Sequence, residues 1–236
     1  MAIEEHRYLP RDWAGEPRPD DSDYRSTALR APSHDPVAIP LTLSEITGPG
    51  ALPTELDPIE ADLTANAGTD GEPIGERIIV RGRVLDEGGN ALPDTLVEIW
   101  QANAAGRYRH QVDQHRAPID PHFIGAGRCL TDADGVYRFL TIRPGAYPWA
   151  NDVNAWRPSH LHFSLFGPAL PSRLVTQMYF PGDPLHAQDA ILNAVPAEAR
   201  PLLIASYDPD LSESEWALGY RWDIVLRGSK STPETA

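Results

Sequence analysis

Twenty-four prolines are spread along the 236 residues, and that spread limits the chain more than any other feature. Proline removes a backbone donor and breaks the interior of a helix, so long helices are disfavoured. Short strands joined by ordered loops remain, with proline at edges and turns. Runs of strand texture do recur between turn signals: "ERIIVRGRVLD", "TLVEIWQA", "HLHFSLFG", "SRLVTQMYF" and "YRWDIVLRG". The predicted fold is all-β, a β-sandwich core. "EGGN" (87–90) reads as a turn with glycine at the positive-φ positions, and "CLTDADGVYRFLTI" as a strand–turn–strand unit turning at Asp134-Gly135. A calcium loop at "DADG" is set aside, because an EF-hand needs Glu at its twelfth position and this chain has Arg143 there. "PLHAQDAILNAVPAEARPLLIA" has room for a short helix.

Residues 1–75 have a different texture, rich in Pro, Asp, Gly and Ala, with neither the helical nor the strand period. They read as a long irregular arm that wraps the core or a partner chain, with a turn of helix expected in "LTLSEITGPG" up to Gly48. Residues 76–236 then form the sandwich domain. A net charge of −14 argues against nucleic acid as a partner. The single cysteine, Cys129, rules out an internal disulfide and points to a reducing cytoplasm. The charged start "MAIEEHRYLPRDW" has no signal-peptide character, and no run approaches a membrane span.

The chemistry begins at "RPSHLHFSLFG" (157–167). Side chains two apart in a strand share a face, so His160 and His162 project together, about 7 Å apart at the backbone. The pattern alone leaves two readings open: a metal pair, or two hydrogen-bonded core imidazoles. A Cys-rich zinc site is excluded by the lone cysteine, and an HExxH helix is absent. Most carboxylates lie in turns or in the arm, which leaves tyrosine as the less usual donor. Tyr108, after the "TLVEIWQA" strand, and Tyr147, just before the histidine strand, are the candidates. Phenolate is a hard anionic oxygen ligand that favours a ferric ion. Each tyrosine taken singly is equally a core-edge packer with its hydroxyl in water.

"LVEIWQANAAGRY", "TDADGVYRFLTIRPGAYP", "WRPSHLHFSLFG" and "LVTQMYFPGDP", in this order, resemble the intradiol ring-cleaving dioxygenases. The resemblance extends over essentially the whole chain, including the arm "HRYLPRDW…SDYRSTALRAP", and is strongest to the branch that cleaves protocatechuate. It implies a mononuclear non-haem Fe(III) held by Tyr108, Tyr147, His160 and His162. Two phenolates and a hydroxide neutralise the 3+ charge and favour the ferric state. It implies that Tyr147 leaves the metal as a catechol arrives and acts as base. Arg157 is placed beside the substrate as a fixed cation. Gln177 lies near the substrate and O₂, Trp149 and Ile191, with Trp100 beside them, form pocket wall, and Tyr24 reaches the substrate carboxylate. Protocatechuate and O₂ would give 3-carboxy-cis,cis-muconate, in the β-ketoadipate route of aromatic degradation. The partner implied is a homologous α subunit that lacks the iron ligands, in an αβ hetero-oligomer.

Two other readings compete. A catechol or hydroxyquinol 1,2-dioxygenase would carry a long helical N-terminal dimerisation segment, which this arm lacks. A transthyretin-like sandwich that binds or scaffolds would explain "VRGRVLDEGGNALPDTLVEIW", but needs neither the histidine pair nor the tyrosines.

Overall fold

A computed structural model describes residues 13–17, 21–26, 34, 53–167 and 173–235. The helical turn expected before Gly48 lies outside the described residues. The strands are β1 Arg77–Leu85, β2 Leu96–Trp100, β3 Ala126–Leu130, β4 Val136–Ile142, β5 Tyr147–Pro148, β6 Trp156–Arg157, β7 His160–Phe166, β8 Leu174–Tyr179, β9 Ser206–Tyr207, β10 Leu218–Arg221 and β11 Ile224–Val225. The segment after β8 holds the short α-helix Ala190–Ala194, flanked by 3-10 turns. Among the described residues no helix is long and apolar enough to cross a membrane.

β1 organises the first sheet. It runs antiparallel to β4 and parallel to β10 and then β11, while β9 pairs with β10. The second sheet is antiparallel throughout, in the order β3-β2-β7-β8. The sheets face each other across Val80, Val84, Phe139, Val97, Ile99, Leu161, Phe163, Leu165 and Met178, all essentially closed to solvent. Burying each such side chain contributes about 1.5–3 kcal/mol. Phe163 is central, with Tyr137, Phe139 and Trp222 around it at ring-centroid distances of 5.6, 6.5 and 4.9 Å. Alternation explains the choice of residues: Leu161, Phe163 and Leu165 point inward, so His160, His162 and Ser164 point to the opposite face.

Both turns read from sequence form, "EGGN" closing a short hairpin in which Leu85 pairs antiparallel with Ala91, and both then carry the chain between sheets. The "DADG" turn leads from β3 in one sheet to β4 in the other, and the "EGGN" turn likewise leads from β1 towards β2. Both close on Val84, which donates to the Gly135 carbonyl and accepts from Leu92 N–H. Of the two glycines in "EGGN", Gly89 takes positive φ, at 80°. The Asp132 carboxylate closes its own turn by accepting from the amides of Asp134 and Val136.

Within the N-terminal stretch, Leu63 is fully buried in the sandwich core and donates its amide to the Leu140 carbonyl. The last described residues run beside β8: Thr235 N–H donates to the Val175 carbonyl, and Thr176 Oγ1 donates to the Pro233 carbonyl. The Glu234 amide in turn donates to the Glu16 carboxylate.

Candidate metal centre

The outward face of the second sheet carries a ladder of polar and aromatic groups. Register pairs His160 with Tyr179, and places Gln177, His162 and Trp100 side by side across β8, β7 and β2. The Trp100 ring lies flat on His162, 4.8 Å between centroids and 4° from parallel, so it fixes that imidazole. Trp100 therefore backs His162, and its place beside the pocket wall is secondary to that.

Tyr108 and Tyr147 arrive on loops that press against each other. A Cβ at Gly106 would sit 2.1 Å from the Ala146 carbonyl oxygen, and one at Gly145 would sit 2.4 Å from that of Ala104. Only glycine allows this approach, and it sets the two phenol rings edge to face at 5.3 Å. Asn103 shapes the first loop by accepting from the amides of Ala105 and Arg107, and Asp113 accepts from the Tyr108 amide. The β5–β6 ladder pairs Tyr147 with Arg157.

The result is a compact set of four donors. Tyr147 Oη is 3.3 Å from His160 Nε2, His160 Nε2 is 3.3 Å from His162 Nε2, and His162 Nε2 is 3.2 Å from Tyr108 Oη. Donors about 2.1 Å from one cation stand about 3.0–3.4 Å apart, so the set fits a single ion. His160 Nδ1 donates to the Pro158 carbonyl at 2.7 Å, which leaves Nε2 with its lone pair towards the cluster. Among the described residues no three His, Cys, Asp or Glu side chains gather as a metal-binding group. The imidazoles have the two phenols beside them instead.

Burial and neighbouring charges set the protonation of these groups in the chain alone. Burial, and then Arg157, holds His160 well below the ordinary imidazole range; burial, His160 and Arg157 do the same for His162. Both rings are thus neutral in the chain alone. Burial, and then Tyr147, pushes the Tyr108 phenol well up, so in the chain alone it keeps its proton. A multivalent cation bound beside it would reverse this and make it phenolate. His160 is closed to solvent at 2% exposure, while Tyr108, Tyr147 and His162 are half-buried, so the cluster opens on its loop side.

Arg157, 2% exposed, sits behind the donors. Its Nε and Nη2 grip both carboxylate oxygens of Asp189 at 3.1 and 2.9 Å, and Nη2 also reaches Gln177 Oε1 at 2.6 Å and Tyr179 Oη at 2.9 Å. Its Nη1 lies 3.2 Å from His160 Nε2. Burial opposes its charge, but Tyr179, Asp189 and Tyr147 outweigh that and hold its pKa well above the usual value. The guanidinium also lies over the Trp149 ring at 5.5 Å. Gln177 is oriented at its other end by donating Nε2 to the Thr235 carbonyl. Ile191 is buried on the short helix, two residues past Asp189, which caps that helix.

Tyr24 meets Trp149 edge to face at 5.4 Å. Asn151 holds it there. The Asn151 side chain accepts from the amides of Arg25 and Ser26 and donates to the Asp23 carbonyl, and Arg25 pairs with Asp152. An open hollow of about 690 Å³, lined by Asp113, His115, Arg116, Pro148 and Trp149 among others, lies on this side.

Asp189, Tyr179 and Asn151 are not among the residues singled out from the sequence. Tyr179 could have been found by alternation, since it shares a face with Gln177; nothing local marks Asp189 or Asn151.

Comparison with known proteins gives the arrangement a lineage. The family profile described as "Dioxygenase" matches residues 46–228, and that described as "Protocatechuate 3,4-dioxygenase beta subunit N terminal" matches residues 9–42. The protocatechuate 3,4-dioxygenase beta chain of Burkholderia cepacia is 58% identical over 224 residues, 95% of either chain. The chain belongs to the intradiol ring-cleavage dioxygenases. The alpha chain from the same organism is 29% identical over 67% of this chain and 76% of its own length. The crystal structure of 3-chlorocatechol 1,2-dioxygenase from Rhodococcus opacus 1CP superposes with a TM-score of 0.56 at 27% identity, covering 77% of this chain and 70% of the other. Intradiol dioxygenases share this all-β frame, so the transthyretin-like module is set aside.

Proposed function

We propose that this chain is the iron-bearing β subunit of a protocatechuate 3,4-dioxygenase. The observation that carries the reading is the convergence of Tyr108, Tyr147, His160 and His162 on one point, in a chain so close to a β chain of that name. These four residues would hold a mononuclear non-haem Fe(III). Bound there, the ion would supply Lewis acidity, lowering the pKa of phenolic oxygens and drawing electron density from a catechol ring so that O₂ can attack it.

The chain's own residues do the rest. Tyr147 Oη, half-buried on the open side, takes a proton from the incoming catechol hydroxyl. Arg157 stabilises negative charge that develops at the ring as it is attacked. Gln177, Trp149 and Ile191 shape the pocket and keep water from it, and Tyr24 meets the substrate carboxylate at the mouth. The ring opens between the two hydroxyl-bearing carbons, both oxygen atoms enter the product, and 3-carboxy-cis,cis-muconate results, a step of the β-ketoadipate route. The arm, residues 1–75, wraps the domain 76–236 and a homologous α subunit, and the αβ protein works in the cytoplasm.

Iron-loaded αβ protein should be coloured by tyrosinate-to-iron charge transfer and should consume one O₂ per protocatechuate. Tyr108→Phe should lose most of the colour and of the oxygen uptake. A colourless protein that stays metal-free after iron loading, or turnover of catechol or hydroxyquinol in preference to protocatechuate, overturns the reading.

A further inference from the structure

We infer that Asp189 is a positioning residue that makes Arg157 a fixed donor with one free arm, Nη1, aimed into the substrate side of the centre. This rests on the dioxygenase reading above. A guanidinium has five N–H donors in a rigid plane. Nε–H and the Nη2 hydrogens are taken up by Asp189, Gln177 and Tyr179. Nη1 alone is outside that clamp, and it points at the metal-side nitrogen of His160. With that nitrogen's lone pair engaged by a cation, the Nη1 hydrogens would be left to donate on the substrate side of the centre.

The clamp is built for direction. Asp189 is fully buried, so its two-point contact with Arg157 is not loosened by water. It lies 32 residues further along the chain and is itself held, because Oδ1 caps the Ala190–Ala194 helix by accepting from Ile191 N–H and Oδ2 accepts from Tyr179 Oη. Trp149 covers the guanidinium from the other side. A carboxylate this close also cancels the net charge of Arg157. The residue therefore acts through an aimed hydrogen bond more than through a long-range field, and lysine, which lacks the fork, cannot replace it.

Asp189→Asn is the test, since asparagine keeps the helix cap and loses the second charged acceptor. In the iron-loaded αβ protein, kcat for protocatechuate should fall about 10–100-fold, the range for lost outer partners of a metal site. KM should change less than threefold or so, with iron content and charge-transfer colour intact. The double variant Arg157→Gln/Asp189→Asn should be no slower than Arg157→Gln alone, because there is no longer a fork to aim. Should Asp189→Asn fail to fold, Tyr179→Phe, which removes the hydroxyl bracing both partners, should lower kcat several-fold at unchanged colour. Wild-type kcat in Asp189→Asn or in Tyr179→Phe, or losses that multiply in the double variant, overturn the inference. An inactive wild-type αβ protein overturns the dioxygenase reading instead.

Discussion

The two faces of β7 do opposite work with the same seven residues. Inward, Leu161, Phe163 and Leu165 are fully buried in the sandwich. Outward, His160 and His162 face two phenols and a guanidinium across distances of about 3 Å. Because strand side chains alternate strictly, the stability of the sheet and the chemistry on it are separable by position, and each can be damaged without the other.

The largest effect should come from the outward face. His162→Ala should lower oxygen uptake by more than the 10–100-fold typical of an outer-partner loss and abolish the charge-transfer band. The melting temperature of the metal-free protein should move by no more than about 4 °C. A large loss of stability in that variant would break the division of labour. Phe163→Ala, one residue away, should do the reverse. It should cost about 3–5 kcal/mol in urea unfolding, while the folded fraction binds iron and turns over as wild type does. A smaller effect is expected where the outward loops hold the arm. Asn151→Ala frees Tyr24, so KM for protocatechuate should rise roughly tenfold, equivalent to about 1.4 kcal/mol, and KM for catechol, which has no carboxylate, should stay the same. Equal changes for both substrates would mean that Tyr24 does not meet the carboxylate.

One effect is confined to the metal-free protein and concerns pH. His160 and His162 stay neutral in the folded chain without metal, and titrate near 6.5 once unfolded. Below that pH the unfolded chain binds more protons. The metal-free fold should therefore lose stability as pH falls from about 6.5 towards 5, at up to about 1.4 kcal/mol per unit for each imidazole. His162→Ala should reduce that slope, and Phe163→Leu should lower the whole curve without changing it. Unfolding midpoints across this range check both.

The parts of the fold legible in the sequence are those that repeat locally. Strand texture between turn signals marked β1, β2, β7 and β8, and period-two alternation put both histidines on one face. The turn at Asp134-Gly135 was placed correctly, but its connection from one sheet to the other was not, because a turn motif reports the bend and not which neighbours the next strand will find. The candidate site was legible only in its strand half. Tyr108 and Tyr147 meet because Gly106 and Gly145 let two loops touch, and loop contacts have no period to read. Asp189 and Asn151 reach partners 32 and 126 residues away, where their own surroundings look like a helix cap and a polar turn.

Thr235 has a practical consequence. Its carbonyl orients Gln177, the neighbour of His162 across β7 and β8, and its amide is tied to Val175. A change of backbone at Thr235 therefore acts on the pocket, through Gln177, although it lies far along the chain from every proposed ligand. Proteins that differ only in that carbonyl contact would differ in turnover while matching in iron content and in colour.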